Sequence, residues 1–369
     1  MKRRVFIKGA AAASVAGAVT SGFAAPAISQ GRMEWRMVTT WPKNFPGLGT
    51  AAERLAEFIT KGTDGRLTVK VYGAGEIVPA FEAMDAVASG TVEMGHGSPY
   101  YWKGKNAAAQ FLTAFPFGLL AQEQNAWFQE GGGQQLADEI YAGLGCKFFP
   151  SGNTGTQMGG WFNKEINSLE DYKGLKMRMP GLGGEVIKAA GANVVNLPGA
   201  EIPPALQSGA IDAAEWVGPF NDLAFGLYKS ARFYYYPGWQ EPSAALDNFI
   251  NLAAWEKLPG DIKSVIAAAN AAVNQQVLNE FSARNHTSLR PLIDNHGVTL
   301  KKFPDDVLRG LATLSDDVMN DLASRDPLSQ KVMDSLLSFR EGASAWTAIA
   351  ETAVSEARSL RDGGDPVKL

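Results

Sequence analysis

The sequence predicts an α/β protein of two lobes, built on mixed sheets and ending in long helices. Three observations carry that expectation. Strand-like and helix-like stretches alternate from residue 34 to residue 198, the signature of sheets covered by helices. At 369 residues the chain is longer than most single cores. Its last third then changes to sustained helical periodicity.

The elements follow in order. EWRMVTTW (34–41) has a strand composition, and Ala51, Ala52, Leu55, Phe58 and Ile59 mark the apolar face of a helix. LTVKVYG (67–73) is a second strand, and PAFEAMDAVASG (79–90) a second helix closed by Gly90. CKFFPSG (146–152), MGGWFN (158–163) and LKMRMP (175–180) are strand-like, EVIKAAG (185–191) helical, and NVVNLP (193–198) a further strand. A short helix at PPALQSG (203–209) leads into AIDAAEWVGP (210–219), and residues 233–255 are again rich in aromatic and β-branched residues. The expected division is 32–154 with 244–283 for the first lobe and 155–243 with 284–327 for the second.

Two helical stripes complete the chain. Ile262, Val265, Ile266, Ala269, Val273, Val277 and Phe281 fall on one face. Across 328–362, Val332, Leu336, Phe339, Ala343, Trp346, Ala350, Ala353, Ala357 and Leu360 alternate spacings of four and three. A helix of that span is roughly 50 Å long, more than one small lobe needs as cover. Part of the stripe is therefore expected to pack across both lobes, on its own lobe alone, or against another chain.

The first 27 residues have a basic start, an Ala/Gly stretch and small residues ending in Ala-Ala-Pro-Ala, and Arg3-Arg4 before Val5-Phe6-Ile7-Lys8 is similar to a twin-arginine export signal. Cleavage after Ala25 or Ala27 would leave 30 Lys and Arg against 38 Asp and Glu, a net charge of −8. That balance argues against nucleic acid or anionic lipid as a partner. Cys146 is the sole cysteine, so an exported chain has no internal disulfide, and its place in CKFF reads as buried packing.

Signatures of catalysis are scarce. His96, His286 and His296 show no metal-ligand spacing. GHGSP (95–99) lacks the order of a nucleophile elbow, and GLGGEV (181–186) lacks the third glycine of a dinucleotide fingerprint, so both read as turns. Polar groups at strand ends among aromatic residues stand out instead: Tyr100 with Tyr101 and Trp102; Asn153, Thr154 and Gln157; Glu215, Trp216 and Asn221; Trp239, Gln240 and Glu241. Taken singly, Glu215 reads as a rim charge, Glu241 as a turn residue before Pro242 and Gln157 as a loop amide.

Arg178 sits in GLKMRMPG (174–181), where Leu175, Met177 and Met179 alternate with Lys176 and Arg178 and Pro180-Gly181 ends the strand. A guanidinium at a strand's carboxyl end can fork onto the carboxylate of a small organic acid. Two acids nearby would repel that ligand, and a hard cation held by oxygens of Glu215, Glu241 and Gln157 resolves the conflict. Gln240 and Glu241 are adjacent and would face opposite ways on a strand, and Asn153 or Thr154 could serve in place of Gln157.

GLKMRMPG, QSGAIDAAEW (207–216), the order of elements and the long C-terminal helix resemble the extracytoplasmic solute receptors of TRAP transporters, the DctP-type binding proteins. YYYPGWQEP (234–242) and Glu215-Trp216 resemble the subgroup that takes 2-oxo or 2-hydroxy acids with a metal ion. The resemblance implies a periplasmic receptor, not an enzyme, whose lobes close on a small monocarboxylate, with pyruvate ahead of lactate, and which delivers it to TRAP membrane subunits. It implies Arg178 as the carboxylate clamp. It also implies Gln157, Glu215, the Trp216 carbonyl and Glu241 as ligands of a metal ion, sodium ahead of calcium, and Tyr100, Asn153, Gln157, Trp216 and Asn221 around the substrate. Such receptors can form a homodimer by exchanging the C-terminal helix. Competing readings are a receptor for another organic acid without metal and a secreted metal-dependent lyase or hydrolase.

Overall fold

A computed structural model describes residues 31–361, so the export signal expected at residues 1–27 lies outside the described residues. Among the described residues the eleven strands are β1 (Met33–Thr39), β2 (Leu67–Tyr72), β3 (Met94–Gly97), β4 (Cys146–Asn153), β5 (Gly160–Phe162), β6 (Lys176–Arg178), β7 (Asn193–Val195), β8 (Ala213–Ala214), β9 (Phe233–Tyr236), β10 (Ala245–Asn251) and β11 (Thr299–Lys302). They form two sheets, ordered β2-β1-β3-β10-β4 and β11-β9-β5-β8-β6-β7. β1 pairs in parallel with β2 and β3, as the strand-helix alternation predicts. β10, which arrives from residues far downstream, then inserts antiparallel between β3 and β4 and makes the sheet mixed.

The chain passes between the sheets along two neighbouring segments, 154–159 and 237–244. Thr154 N donates to Ala244 O at 3.1 Å and Gln157 N to Glu241 O at 3.1 Å, so the segments form one hydrogen-bonded hinge. Helix Gly260–Asp294 continues past the predicted stripe. Its Val273 and Val277 lie in a core shared with β1 and helix Leu48–Gly62, while Phe281 meets Phe220 of the second lobe.

Several segments depart from the sequence reading. GLGGEV opens helix Gly181–Ala189 and is no turn. The glycines there serve close approach: a Cβ on Gly181, whose φ is +59°, would lie 3.1 Å from the Tyr100 ring, and one on Gly183 would lie 2.7 Å from Gln240 Cβ. His96 lies in β3 and is fully buried; it accepts a hydrogen bond at Nδ1 from Trp41 Nε1 at 3.0 Å, and burial lowers its pKa to about 4. Helices Ala121–Glu130, Gly133–Gly143 and Asp305–Ser324 were not expected from the sequence. The last runs from the second-lobe core, at Val307 and Leu311, into the first-lobe core at Met319 and Ala323.

The terminal stripe divides in two. Helix Pro327–Thr347 continues through a π-helical stretch, Ala348–Thr352, into Ala353–Arg361. Val332, Met333 and Leu336 pack with Trp127, Ala137 and Ile140 of the first lobe. Beyond them Trp346 is 64% exposed and Ile349 72%. No described helix is long and apolar enough to cross a membrane, and Cys146 is buried and free, as CKFF suggested.

Candidate ligand and cation site

Arg178 ends β6, whose alternation placed it opposite the buried Met177. It is nevertheless 0% exposed, because both faces of this strand end are covered, while Lys176, two residues earlier, stays exposed beside Asp212. β8 runs parallel to β6 and carries the chain directly to Glu215. Glu215 N donates to Arg178 O at 3.0 Å; in return Arg178 Nη1 donates to Glu215 O at 2.6 Å and Oε2 at 3.0 Å. Arg178 Nε reaches Leu197 O at 3.3 Å, and the guanidinium lies 5.2 Å from the Trp216 ring.

One corner of this arginine is unused. Nη2 is buried without a hydrogen-bond partner among the described residues, as are Glu215 Oε1, Glu241 Oε2, Gln157 Oε1 and Asn221 Oδ1. A buried unpaired polar group costs about 1–3 kcal/mol, more when charged, so such a concentration points to a ligand. The set is one guanidinium donor and several oxygen acceptors, which fits an organic anion together with a hard cation. Among the described residues no group of three or more His, Cys, Asp or Glu is arranged to hold a metal. Only two carboxylates contribute here, and the remaining oxygens are neutral.

Electrostatics agree with that reading. Burial pushes Glu215 well above the usual carboxylate range, with further upward pressure from Glu241 and a downward pull from Arg178. Burial also lifts Glu241, to about 8, against the attraction of Arg178. One arginine cannot neutralise two buried acids. Positive charge added beside them would favour ionisation of both.

The hinge orients the neutral donors. Gln157 Nε2 donates to Thr154 Oγ1 at 3.0 Å, which leaves its Oε1 free. Residues 237–242 are irregular and do not form a strand, so adjacency does not send Gln240 and Glu241 to opposite faces; both are buried, and Gln240 Nε2 donates to Met158 O at 2.8 Å. Asn153 has a different job. Its Nδ2 donates to Gln124 Oε1 at 2.8 Å and its Oδ1 accepts from Gly155 N at 2.9 Å, so its amide is consumed in shaping the hinge.

The first lobe closes the other side. Tyr100 is buried in the turn Pro99–Trp102, packed edge-on against Tyr101 at 4.6 Å, and burial together with the charge of Glu241 raises its pKa well above the ordinary phenol. Asn221 Nδ2 crosses to Pro46 O at 2.9 Å. Trp216 meets Trp41 at 6.2 Å and Phe45 at 6.3 Å, both from the first lobe, and Trp239 stacks on Phe117 at 5.7 Å. Sequence reading missed Trp41 and Phe45, because nothing in TTWPKNF distinguishes a cleft wall from core. It also missed Asp222, which sits in the first turn of helix Pro219–Phe225 as an ordinary helix-start acid would.

Comparison with known proteins places these features in a family. The model of bacterial extracellular solute-binding protein family 7, DctP, matches residues 37–326. A monocarboxylate 2-oxoacid-binding periplasmic protein of Nostoc sp. is 43% identical over 95% of this chain and 97% of its own. A TRAP periplasmic solute-binding protein of Pseudoalteromonas atlantica, solved with bound sodium and pyruvate, shares 40% identity and a TM-score of 0.85, covering 88% of this chain and 98% of that one. One from Bordetella bronchiseptica, a mixed-occupancy dimer with copurified calcium and picolinate, shares 37% identity and a TM-score of 0.87 over 89% and 98%. With its two sheets, its hydrogen-bonded hinge and a near end-to-end relative, the protein belongs to the DctP family of extracellular solute-binding proteins and is a receptor, not an enzyme.

Proposed function

We propose that the protein is a periplasmic receptor that captures a small monocarboxylate, a 2-oxo acid such as pyruvate, together with a sodium or calcium ion, and delivers it to the membrane subunits of a TRAP transporter. The observation that carries this reading is the cluster of unpartnered buried atoms: Arg178 Nη2 on one side, Gln157 Oε1, Glu215 Oε1 and Glu241 Oε2 on the other. Arg178 clamps the carboxylate. Gln157, Glu215, Glu241 and the Trp216 carbonyl hold the ion, which when bound offsets the two acids and offers a positive point to the 2-oxo oxygen. Tyr100, Trp216 and Trp239 exclude water, and Asn221 offers its free Oδ1 from the lobe junction. Because these residues come from both lobes and the hinge, only the closed form assembles them, and the ligand draws the receptor toward closure. A relative with sodium and another with calcium leave the ion open between those two.

Thermal shift of the purified protein with pyruvate, 2-oxobutyrate, lactate, succinate and sugars, with and without EDTA and added sodium or calcium, tests the reading. Stabilisation is expected for 2-oxo acids and to depend on a cation, with the acid recovered unchanged. Preference for succinate or a sugar, or turnover of the acid, would overturn it.

The exposed second half of the terminal stripe supports a homodimer formed through this helix. Phe339, Ala343 and Trp346 border an apolar groove of about 690 Å³ against Leu120 and Leu278, and Ile349, Val354 and Leu360 are exposed beyond it. Light scattering of Trp346→Glu with Ile349→Glu is expected to give monomer where the parent gives dimer; a monomeric parent sinks the idea.

A further inference from the structure

Asp222 is 1% exposed and accepts four hydrogen bonds. Its Oδ2 takes Trp161 Nε1 at 2.9 Å and Tyr234 OH at 2.6 Å. These two rings stack 4.0 Å apart on paired residues of β5 and β9, so the carboxylate is anchored to the middle of the second sheet. Its Oδ1 takes Val217 N and Gly218 N, each at 3.2 Å. The other end of Val217 is held as well, since its carbonyl accepts from Met158 N at 2.9 Å. The segment after Trp216 is thus pinned to the sheet through Asp222 and to the hinge through Met158, the neighbour of Gln157.

The pinned peptide has a consequence for Trp216. The Trp216–Val217 bond is trans, and in a trans peptide the N–H and C=O point in opposite directions. Holding Val217 N–H on Asp222 therefore turns the Trp216 carbonyl away from Asp222. That oxygen accepts no hydrogen bond among the described residues, although the Trp216 side chain is 3% exposed and its neighbour Glu215 is fully buried. We infer that Asp222 is a positioning residue of the cation site: it touches neither ion nor acid and sets the direction of the Trp216 carbonyl that completes the ligand set. The inference rests on the cation-assisted reading proposed above.

The first lobe supplies a matched control. Asp247 is equally buried and its Oδ2 accepts from Trp102 Nε1 at 2.9 Å and from Tyr141 OH, the same pair of donors, but it lies in β10 of the first sheet, its Oδ1 has no partner among the described residues, and it holds neither Val217 nor Gly218. Asparagine cannot replace Asp222 without loss, because either orientation of its amide sets an N–H against N–H donors on one side. The experiment titrates calcium chloride at fixed pyruvate and reads the calcium concentration that gives half of the maximal thermal shift, for the parent, Asp222→Asn, Tyr234→Phe, Asp247→Asn and Tyr141→Phe. Asp222→Asn is expected to raise that concentration by about tenfold, in line with losing an outer-shell partner of a metal ligand. Tyr234→Phe, which loosens Asp222 from behind, should raise it by a smaller factor. Both first-lobe variants should match the parent. Amide exchange at Val217 and Gly218 in calcium-free protein should quicken in Asp222→Asn only.

If second-lobe and first-lobe variants share one half-point, the inference is overturned, and Tyr234→Phe decides the matter should Asp222→Asn not fold. A parent with no calcium or sodium dependence would instead overturn the cation-assisted reading itself.

Discussion

Two buried acid clusters in this molecule look alike in composition and differ in completion. In the first lobe Asp247 is enclosed by Trp102 and Tyr141, and burial pushes its pKa up to about 6. At the lobe junction Glu215 and Glu241 face a single arginine, and the surrounding side chains leave Arg178 Nη2, Gln157 Oε1, Glu215 Oε1 and Glu241 Oε2 without partners. The first cluster lies within its own lobe, pairs Asp247 Oδ2 with both donors and leaves a single oxygen, Asp247 Oδ1, without a partner among the described residues. The second leaves four atoms of four residues unpartnered, among them a guanidinium donor and two carboxylate oxygens, and on the function proposed above a ligand completes it. Buried polar atoms are therefore informative in proportion to how many of them converge unpaired on one volume.

Breaking each cluster should separate the two roles. The largest effect is expected for Arg178→Ala: a charge-assisted bond to a carboxylate is worth about 1.5–3 kcal/mol, so pyruvate affinity measured by calorimetry should fall roughly 10- to 150-fold while the protein stays folded. A variant that binds as tightly as the parent removes Arg178 from the site.

Asp247→Asn should do the reverse. Leaving an indole N–H or a phenol poorly matched costs about 1–3 kcal/mol of stability, with pyruvate affinity held within about twofold, since Asp247 shares no hydrogen-bond partner with Arg178, Glu215 or Gln157. Its pH dependence has a definite sign. The folded pKa of about 6 lies above the ordinary 3.8, so Asp247 supports the fold fully below that ordinary value, and the support is lost as pH rises through about 6. The thermal midpoint of the parent should therefore decline more across that interval than the midpoint of Asp247→Asn; parallel profiles would show that Asp247 titrates normally.

The smallest effect concerns the rim. Lys103 of the first lobe pairs with Glu185 of the second at 2.7 Å, each side chain about a third exposed. Lys103→Gln should weaken pyruvate binding by less than about fivefold, as solvent-screened pairs contribute about 0.2–1 kcal/mol. A loss as large as that of Arg178→Ala would mean that the rim pair, not the clamp, governs closure.

Much of the architecture was legible in sequence because it follows from local period. β2, with its alternating Leu67, Val69 and Val71, and the long helix carrying Ile266, Val273 and Phe281 bury the faces their spacing predicts. Motif resemblance singled out Arg178, Glu215 and Glu241 ahead of the fold. The helix at EVIKAAG was legible, but its first turn, Gly181–Gly184, was hidden because glycines lower helix propensity, and Gly181 and Gly183 are present for close approach to Tyr100 and Gln240.

What sequence alone determined was the two-lobed α/β class and the order of most strands, and it put forward Arg178, Glu215, Glu241 and Gln157 as candidates to hold an acid and a cation. Alternation treated Lys176 and Arg178 as equals, and it could do no more, because periodicity reports one strand and not its neighbours. Tertiary structure decided that Arg178 is sealed while Lys176 stays exposed, since the Trp216 ring and the first lobe cover only the strand's end. It also decided that Asn153 braces the hinge, that Gln157 keeps its oxygen free, and that Asp222 holds the peptide beyond Trp216. The Gln157–Thr154 and Asp222–Val217 bonds are short in sequence, but Asn153 meets Gln124, 29 residues away, and Asp222 is anchored on Trp161, 61 residues away, and no local pattern encodes such meetings.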